Sequence, residues 1–294
     1  MSFLTEFPKL SRETLVEIRK SLDTAYRSFS REYGENIEAF FEPLLQFLIW
    51  FEKLLLAAPW WLVIFVIAGI CHMAARSWKL TISVAFALFG IGLFGMWEDT
   101  MSTLSIITVS TLLSILIGIP IGILMARSDR VQSVFTPILD VMQTMPAFVY
   151  LIPVVMLLGI GKIPGMIAVI IYAIPPVIRL TNLGIRLVDK EVLEAADAFG
   201  TTPTQKLFQV QLPLAMPNIM AGVNQTIMMA LAMVVIASMI GVAGLGQQVL
   251  RSINNQFFAL GLFNGVAIVV LAIIFDRVSQ AYAKRSQAHL GGKQ

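Results

Sequence analysis

Glu194-Ala195-Ala196-Asp197-Ala198-Phe199-Gly200, nine further residues and then Val210-Gln211-Leu212-Pro213 form a charged island in a very apolar chain. Arg186, Asp189, Lys190, Glu191, Glu194, Asp197 and Lys206 all fall in or beside it, so it cannot cross a bilayer as a lipid-facing helix. It is flanked by two long apolar segments that can. The stretch therefore reads as a structured loop on one membrane face. Its local chemistry predicts two short helices. Asp189 N-caps a helix over about Lys190 to Phe199, with Glu191 in the first turn. Gly200 supplies a left-handed C-terminal cap. Thr202 opens the second helix, with Pro203 at its first position and Gln205 completing a capping box. Pro213 is expected to end it.

Composition agrees with lipid as the solvent. The chain has 294 residues, 57% hydrophobic and 13% charged, and a mean hydropathy of +0.80. A soluble domain carries about 25% charged residues. Charge-free stretches run from Lys79 to Glu98, Asp99 to Arg127, Lys162 to Arg179, Lys206 to Arg251 and Arg251 to Asp276. Most approach or exceed the ~20 residues needed to span. The net charge of +3 reads as topology, not as a nucleic-acid surface. A single cysteine, Cys71, excludes an internal disulfide and a cysteine-based metal site. His72 and the second histidine read as packing or interfacial residues. The polar, mixed-charge N-terminus does not read as a cleaved signal peptide.

In chain order, residues 1–42 form a hydrophilic extension with 6 Lys/Arg against 8 Asp/Glu. Within it Leu15, Ile18, Leu22, Tyr26 and Phe29 give a surface helix. Residues 43–58 read as an aromatic, amphipathic interfacial helix, a short span with snorkelling ends being the alternative. Residues 59–99 hold two peripheral transmembrane helices. Residues 100–283 form a core in which Met101–Ala126, Val134–Ile160, Ile163–Arg179, Asn218–Val242 and Phe258–Phe275 span, with the charged loop at 186–214. Gly241 to Gly246 begins an external loop with room for a re-entrant piece. Residues 284–294 are a tail. The basic turns at Arg76–Lys79 and Arg127–Arg130 fall on the same side as the charged loop. The expected fold is an all-α membrane protein, a polytopic helical bundle of about seven transmembrane helices, N-terminus outside and C-terminus inside. No internal repeat is evident, so two-fold symmetry would require a second copy.

The chemistry is defined partly by absence. The sequence has no G-x-x-x-x-G-K-[ST], no His-Glu-x-x-His and no Gly-x-Ser-x-Gly. Its spans are expected to be nearly free of ionisable groups, with Asp140 within two turns of the cytoplasmic end, which argues against an ion-driven carrier. Energy is then expected to come from outside the chain; the chain is not an enzyme, and no cofactor or metal is expected in it. Met142 to Pro153 is the most unusual span. Pro146 frees backbone groups where Gln143 and Thr144 offer partners. It reads either as a self-satisfied kink or as a pore-lining gate with Met145, Phe148 and Tyr150. Asn224 and Met228 share a helix face, as interhelical glue or as pathway residues.

Glu-Ala-Ala-x-x-x-Gly, nine residues and a closing Leu212-Pro213 resemble the coupling motif of membrane subunits of bacterial ATP-binding-cassette importers. Val210 stands where isoleucine is usual. Ala126-Arg127-Ser128-Asp129-Arg130, Met142 to Pro153, Pro175 to Gly184 and Gly222 to Met229 further resemble permeases of the glycine betaine/proline betaine/choline uptake family. The resemblance runs from about Trp97 to Arg251. It implies a type I importer permease fold and a bacterial inner-membrane location. It also implies a second copy of the chain, two ATPase subunits on the cytoplasmic side and a separate periplasmic substrate-binding protein. Glu194, Ala195, Ala196, Gly200, Leu212 and Pro213 are then the ATPase-coupling residues. Gln143, Met145, Phe148, Tyr150, Tyr172, Asn224 and Met228 are the candidate passage for choline, glycine betaine or a relative such as trimethylamine N-oxide. The alternatives are an amino-acid or methionine importer permease, and, in a different class, an ATPase-independent channel or scaffold.

Overall fold

A computed structural model describes residues 10–290, with side chains through residue 283. The start of the expected 1–42 extension, the last four residues, and the side chains of the expected 284–294 tail lie outside the described residues. The described chain is helical throughout. In order, the helices are α1 (Arg12–Ala57), α2 (Trp60–Ala75), α3 (Trp78–Leu93), α4 (Trp97–Arg127), α5 (Asp129–Thr144), α6 (Ala147–Leu158) and α7 (Lys162–Ala173). They continue as α8 (Pro175–Arg186), α9 (Lys190–Ala198), α10 (Pro203–Gln205), α11 (Leu212–Ala237), α12 (Leu245–Asn255) and α13 (Phe258–Leu290). Among the described residues, 4 stretches are long and apolar enough to cross a membrane, and up to 6 if each of two bent pairs is one span; α3 is a shorter apolar helix.

The centre is a wedge in which α8 lies between α4 and α11. It is built on glycines. A Cβ at Gly122 would stand 2.7 Å from the Ile178 carbonyl oxygen, and one at Gly118 would stand 2.4 Å from Val177. Across α8, a Cβ at Gly222 would meet the Val177 Cα at 3.0 Å. Hydrocarbon supplies no hydrophobic drive between helices, so close backbone approach through small residues is how such helices gain packing energy. Around this wedge, buried side chains of α4, α7, α11 and α13 form the main core, including Ile107, Met166, Met233 and Leu271.

Several boundaries differ from the sequence expectation. The expected extension helix and interfacial helix are one 46-residue helix, α1, which meets α2 at 113°. Pro43 lies inside it. Phe41, Leu44, Leu45 and Leu48 pack against the core on both sides of that proline and hold the helix through the lost hydrogen bond. Glu52, on the stretch expected at an interface, is buried. It accepts hydrogen bonds from Lys162 and, at 2.9 Å, from the Ser102 hydroxyl. That junction ties the end of α1 to the first turns of α4 and α7.

The expected single span Val134–Ile160 is two helices, α5 and α6, meeting at 101°. Pro146 has no N–H to give the Met142 carbonyl, its partner four residues back. The Tyr150 hydroxyl donates to that carbonyl instead. The expected span Ile163–Arg179 runs on through Pro175 and Pro176 to Arg186, because both prolines occupy the first positions of α8, where an N–H has no helical partner. Asp140 and Arg179 form an ion pair, so the bundle is less free of ionisable groups than the sequence suggests.

Candidate functional site

The charged loop connects α8 to α11. Asp189 caps α9, its carboxylate accepting from the Glu191 N–H at 2.9 Å. At the other end the Gly200 N–H donates to the Asp197 carbonyl at 2.9 Å and the Thr201 N–H to the Ala196 carbonyl at 3.2 Å. This pair of bonds is the Schellman closure. It requires a left-handed residue between them, and Gly200 has φ +78°. The Thr202 hydroxyl then accepts from the Gln205 N–H at 3.3 Å, and the Gln205 side chain accepts from the Thr202 N–H at 2.9 Å. Both halves of the capping box are therefore formed, with Pro203 in the first turn.

Lys206 closes the angle between the two helices. Its ammonium lies 2.7 and 2.8 Å from the two Asp197 oxygens, across the Gly200 turn. Contrary to the expectation that Pro213 ends the second helix, the helix continues as one stretch from Pro203 to Ile240. Residues Lys206–Gln211 form a π-helical turn, in which the Leu212 N–H reaches back five residues to the Leu207 carbonyl. The widened turn makes room for the Pro213 ring, which would clash with the carbonyl four residues earlier in a regular helix. π-Turns inside α-helices occur often at functional sites.

The loop has an inner and an outer side. Ala196 and Leu207 are buried, and Leu212 packs with Ile185, Leu207, Ala215 and Ile219 where α8 and α11 meet. Glu194, Ala195 and Gly200 are exposed. So is Phe199, which is 90% exposed beside the turn. A fully presented aromatic ring among charged groups makes a surface suited to a protein partner. Sequence reading did not single out Phe199 or Lys206. The ring falls outside any periodic face, and Lys206 meets Asp197 across a turn, where helical spacing gives no signal.

The candidate passage residues are dispersed. Tyr150 is buried, and its ring stands edge-on to Tyr172 at 5.8 Å between centroids. Its hydroxyl serves the break before Pro146. Gln143, Phe148 and Met228 are exposed, and Met145 packs against the main core. Both ends of the Asn224 amide are used: it donates to Asp276 at 2.9 Å and accepts from the Ser279 hydroxyl at 2.6 Å. These bonds join α11 to α13. Among the described residues no group of three or more His, Cys, Asp or Glu side chains is placed to hold a metal ion.

Residues 118–287 match the family described as "Binding-protein-dependent transport system inner membrane component". The chain is 50% identical over 243 residues to the glycine betaine/proline betaine transport system permease protein ProW of Escherichia coli strain K12, covering 81% of this chain and 67% of that protein. It is 48% identical over 235 residues to the glycine betaine/carnitine transport permease protein GbuB of Listeria monocytogenes, covering 79% of this chain and 83% of the relative. A solved structure of the MetNI methionine ABC transporter in an inward-facing conformation matches with a TM-score of 0.58 at 20% identity, over 63% of this chain and 93% of that one. That likeness extends to the fold, a type I ABC permease bundle. The chain thus belongs to the inner-membrane components of binding-protein-dependent transport systems, and is a multi-pass membrane protein.

Proposed function

We propose that this chain is the permease subunit of an ATP-driven importer that passes a quaternary or fully substituted amine across the bacterial inner membrane. The observation that carries the reading is the charged loop: a preorganised two-helix lever with an outward aromatic knob at Phe199, continuous with the two helices of the glycine-packed wedge. ATP hydrolysis belongs to partner chains; Glu194, Ala195 and Gly200 face them, and Ala196 packs beneath that face as part of the same coupling set. Leu212 and Pro213 shape the root of the lever. A second copy of this chain completes the pathway, two ATPase subunits bind on the cytoplasmic side, and a separate periplasmic protein delivers the solute. The N-terminus lies outside and the C-terminus inside.

The solute class is supported by the relatives. Besides the glycine betaine permeases, the chain is 35% identical to the trimethylamine N-oxide transport system permease protein TmoV of Ruegeria pomeroyi, and 32% identical to the choline transport system permease protein OpuBB of Bacillus subtilis. Those names share a head group of nitrogen fully substituted with carbon or oxygen. Aromatic faces recognise such heads, and Phe148, Tyr150 and Tyr172 are the aromatic groups offered along the proposed passage; Gln143, Met145, Asn224 and Met228 complete the proposed set.

The test is uptake of labelled glycine betaine, choline, trimethylamine N-oxide and methionine by cells with and without the gene. Accumulation of an amine that depends on the chain and on ATP supports the reading. Methionine accumulation, or amine uptake that persists after the ATPase partners are removed, overturns it.

A further inference from the structure

We propose that Arg179 and Arg186 are positioning residues that fix the register of α5 on α8, so that motion of the charged loop reaches the break at Met145–Pro146. The inference rests on the coupling role proposed above and names the residues that carry it onward. The two arginines are seven residues apart, so they share one face of α8. Asp129 and Asp140 are eleven apart on α5 and likewise share a face. The pairs run antiparallel, Arg179 with Asp140 and Arg186 with Asp129 at 2.7 Å.

Alongside the two pairs lies an apolar strip. Val131, Phe135, Leu139 and Met142 of α5 pack with Ile174 just before α8, Val177 and Ile178 of its first turn, and Met125 of α4. Apolar contact is non-directional, and such a strip holds two helices together without choosing among axial positions. The two charge pairs choose one. Both aspartates are largely exposed and both arginines about one-third exposed, so the pairs contribute little to overall stability. Their value lies in where they hold α5.

Arg186 is placed to link more than two helices. It donates to the Met125 carbonyl at 2.9 Å and to the Asn182 side chain at 3.1 Å while pairing with Asp129. Met125 is in the last turn of α4, where carbonyls lack helical partners and cations are favoured. Asp129 is in the first turn of α5, where anions are favoured. A single guanidinium therefore serves both helix ends and the helix that enters the loop. Three residues beyond Arg186 stands Asp189, the cap of α9. α8 thus carries the loop at one end and the register of α5 along its flank. α5 in turn ends at the Met145–Pro146 break, where the chain turns by 101°.

The experiment uses the full chain in the importer assembled in its own cell membrane, purified through a tag and placed in vesicles. Solute moved per ATP hydrolysed is compared for Arg179→Ala, Asp140→Ala, Arg186→Ala and Asp129→Ala. Each is expected to lower that ratio about two- to five-fold, the range an exposed pair commands, while ATPase association persists. Arg179→Lys should retain most of the ratio, and the exchange Arg179→Asp with Asp140→Arg should restore it. A merely structural role lowers transport and hydrolysis together and leaves the ratio unchanged; that result overturns the proposal. Where an alanine variant does not assemble, the exchanged pair decides: an assembled exchange with an unrestored ratio overturns it equally. Failure of any ATPase to co-purify with the unaltered chain instead overturns the coupling role itself.

Discussion

Substitution at Gly200 isolates the geometry of the lever from its contacts. A Cβ built on Gly200 finds no atom within 4 Å, so an added side chain meets no neighbour within this chain. What remains is the backbone, at φ +78°. An L-residue held in the left-handed region costs about 1–2 kcal/mol, with asparagine penalised least and β-branched residues most. Opposing this are the two closing hydrogen bonds, from Gly200 to Asp197 and from Thr201 to Ala196, each with a net worth of about 0.5–1.5 kcal/mol. Strain and closure are thus of the same size, and Gly200→Val leaves the turn poised between closed and open. A shift of 1–2 kcal/mol changes such a population about 5- to 30-fold. Opening it separates Asp197 from Lys206 and frees the angle between the two helices. Membrane insertion should be unchanged in all variants, since Gly200 is exposed. Solute-stimulated ATP hydrolysis by the assembled importer should follow the order Gly200, Gly200→Asn, Gly200→Ala, Gly200→Val. Full stimulation in Gly200→Val refutes the reasoning. Equal loss in Gly200→Asn and Gly200→Val also refutes it, because that pattern reports a clash with a partner and not the conformation of the turn.

Phe199→Ala should leave the thermal melting of the purified chain unchanged, since the ring is 90% exposed, yet weaken ATPase co-purification by the ~2 kcal/mol or more typical of an interface hot spot; unaltered association removes Phe199 from the interface. Tyr150→Phe should destabilise the chain by about 1–3 kcal/mol by leaving the Met142 carbonyl without its donor, read as a lowered melting temperature in detergent. Gly122→Leu should prevent stable folding, because even its Cβ would meet the Ile178 carbonyl oxygen at 2.7 Å, whereas Gly69→Ala, with nothing within 4 Å, should express as the parent does. Lys162→Met should cost about 1–3 kcal/mol, less than the ~3–5 kcal/mol of a wholly buried pair because Lys162 is about one-third exposed, and Glu52→Gln combined with it should recover part of the loss.

The loop was the most legible part of the chain because its signals are local. A cap, a glycine and a capping box each need only three or four neighbouring residues, and Asp189, Gly200, Thr202 and Gln205 stand where those rules put them. Hydropathy exposed the apolar segments for a similar reason. Interruptions of the helices were harder to read, because a proline is compatible with a stop, a kink or an uninterrupted helix, and tertiary partners decide among them. Pro146 breaks the chain, with Tyr150 serving the orphaned carbonyl. Pro213 sits after a π-turn in a helix that continues. Pro43 is carried by packing on both sides. Ion pairs such as Glu52–Lys162 and Arg179–Asp140 join residues far apart in sequence, and no spacing rule connects them.

The distribution of these interruptions constrains how force can travel. Where α8 meets α4 and α11, glycines bring backbones so close that a Cβ would not fit, and packed interiors resist gradual deformation. That wedge has little freedom to flex within itself. The helical hydrogen-bond ladder is instead interrupted around it, among other places at the Gly200 turn, the π-turn at Lys206–Gln211 and the break at Met145–Pro146. A push on α9 therefore cannot be dissipated within α8; it is passed along as movement of a body and taken up where the ladder is already broken. The first two of those places lie in the loop and its root. The third stands at the end of α5, which the two arginine–aspartate pairs fasten to α8. The mechanical reading of the loop and the register reading of α5 then stand as parts of one path, separable by experiment because hydrolysis reports the first and solute moved per ATP reports the second.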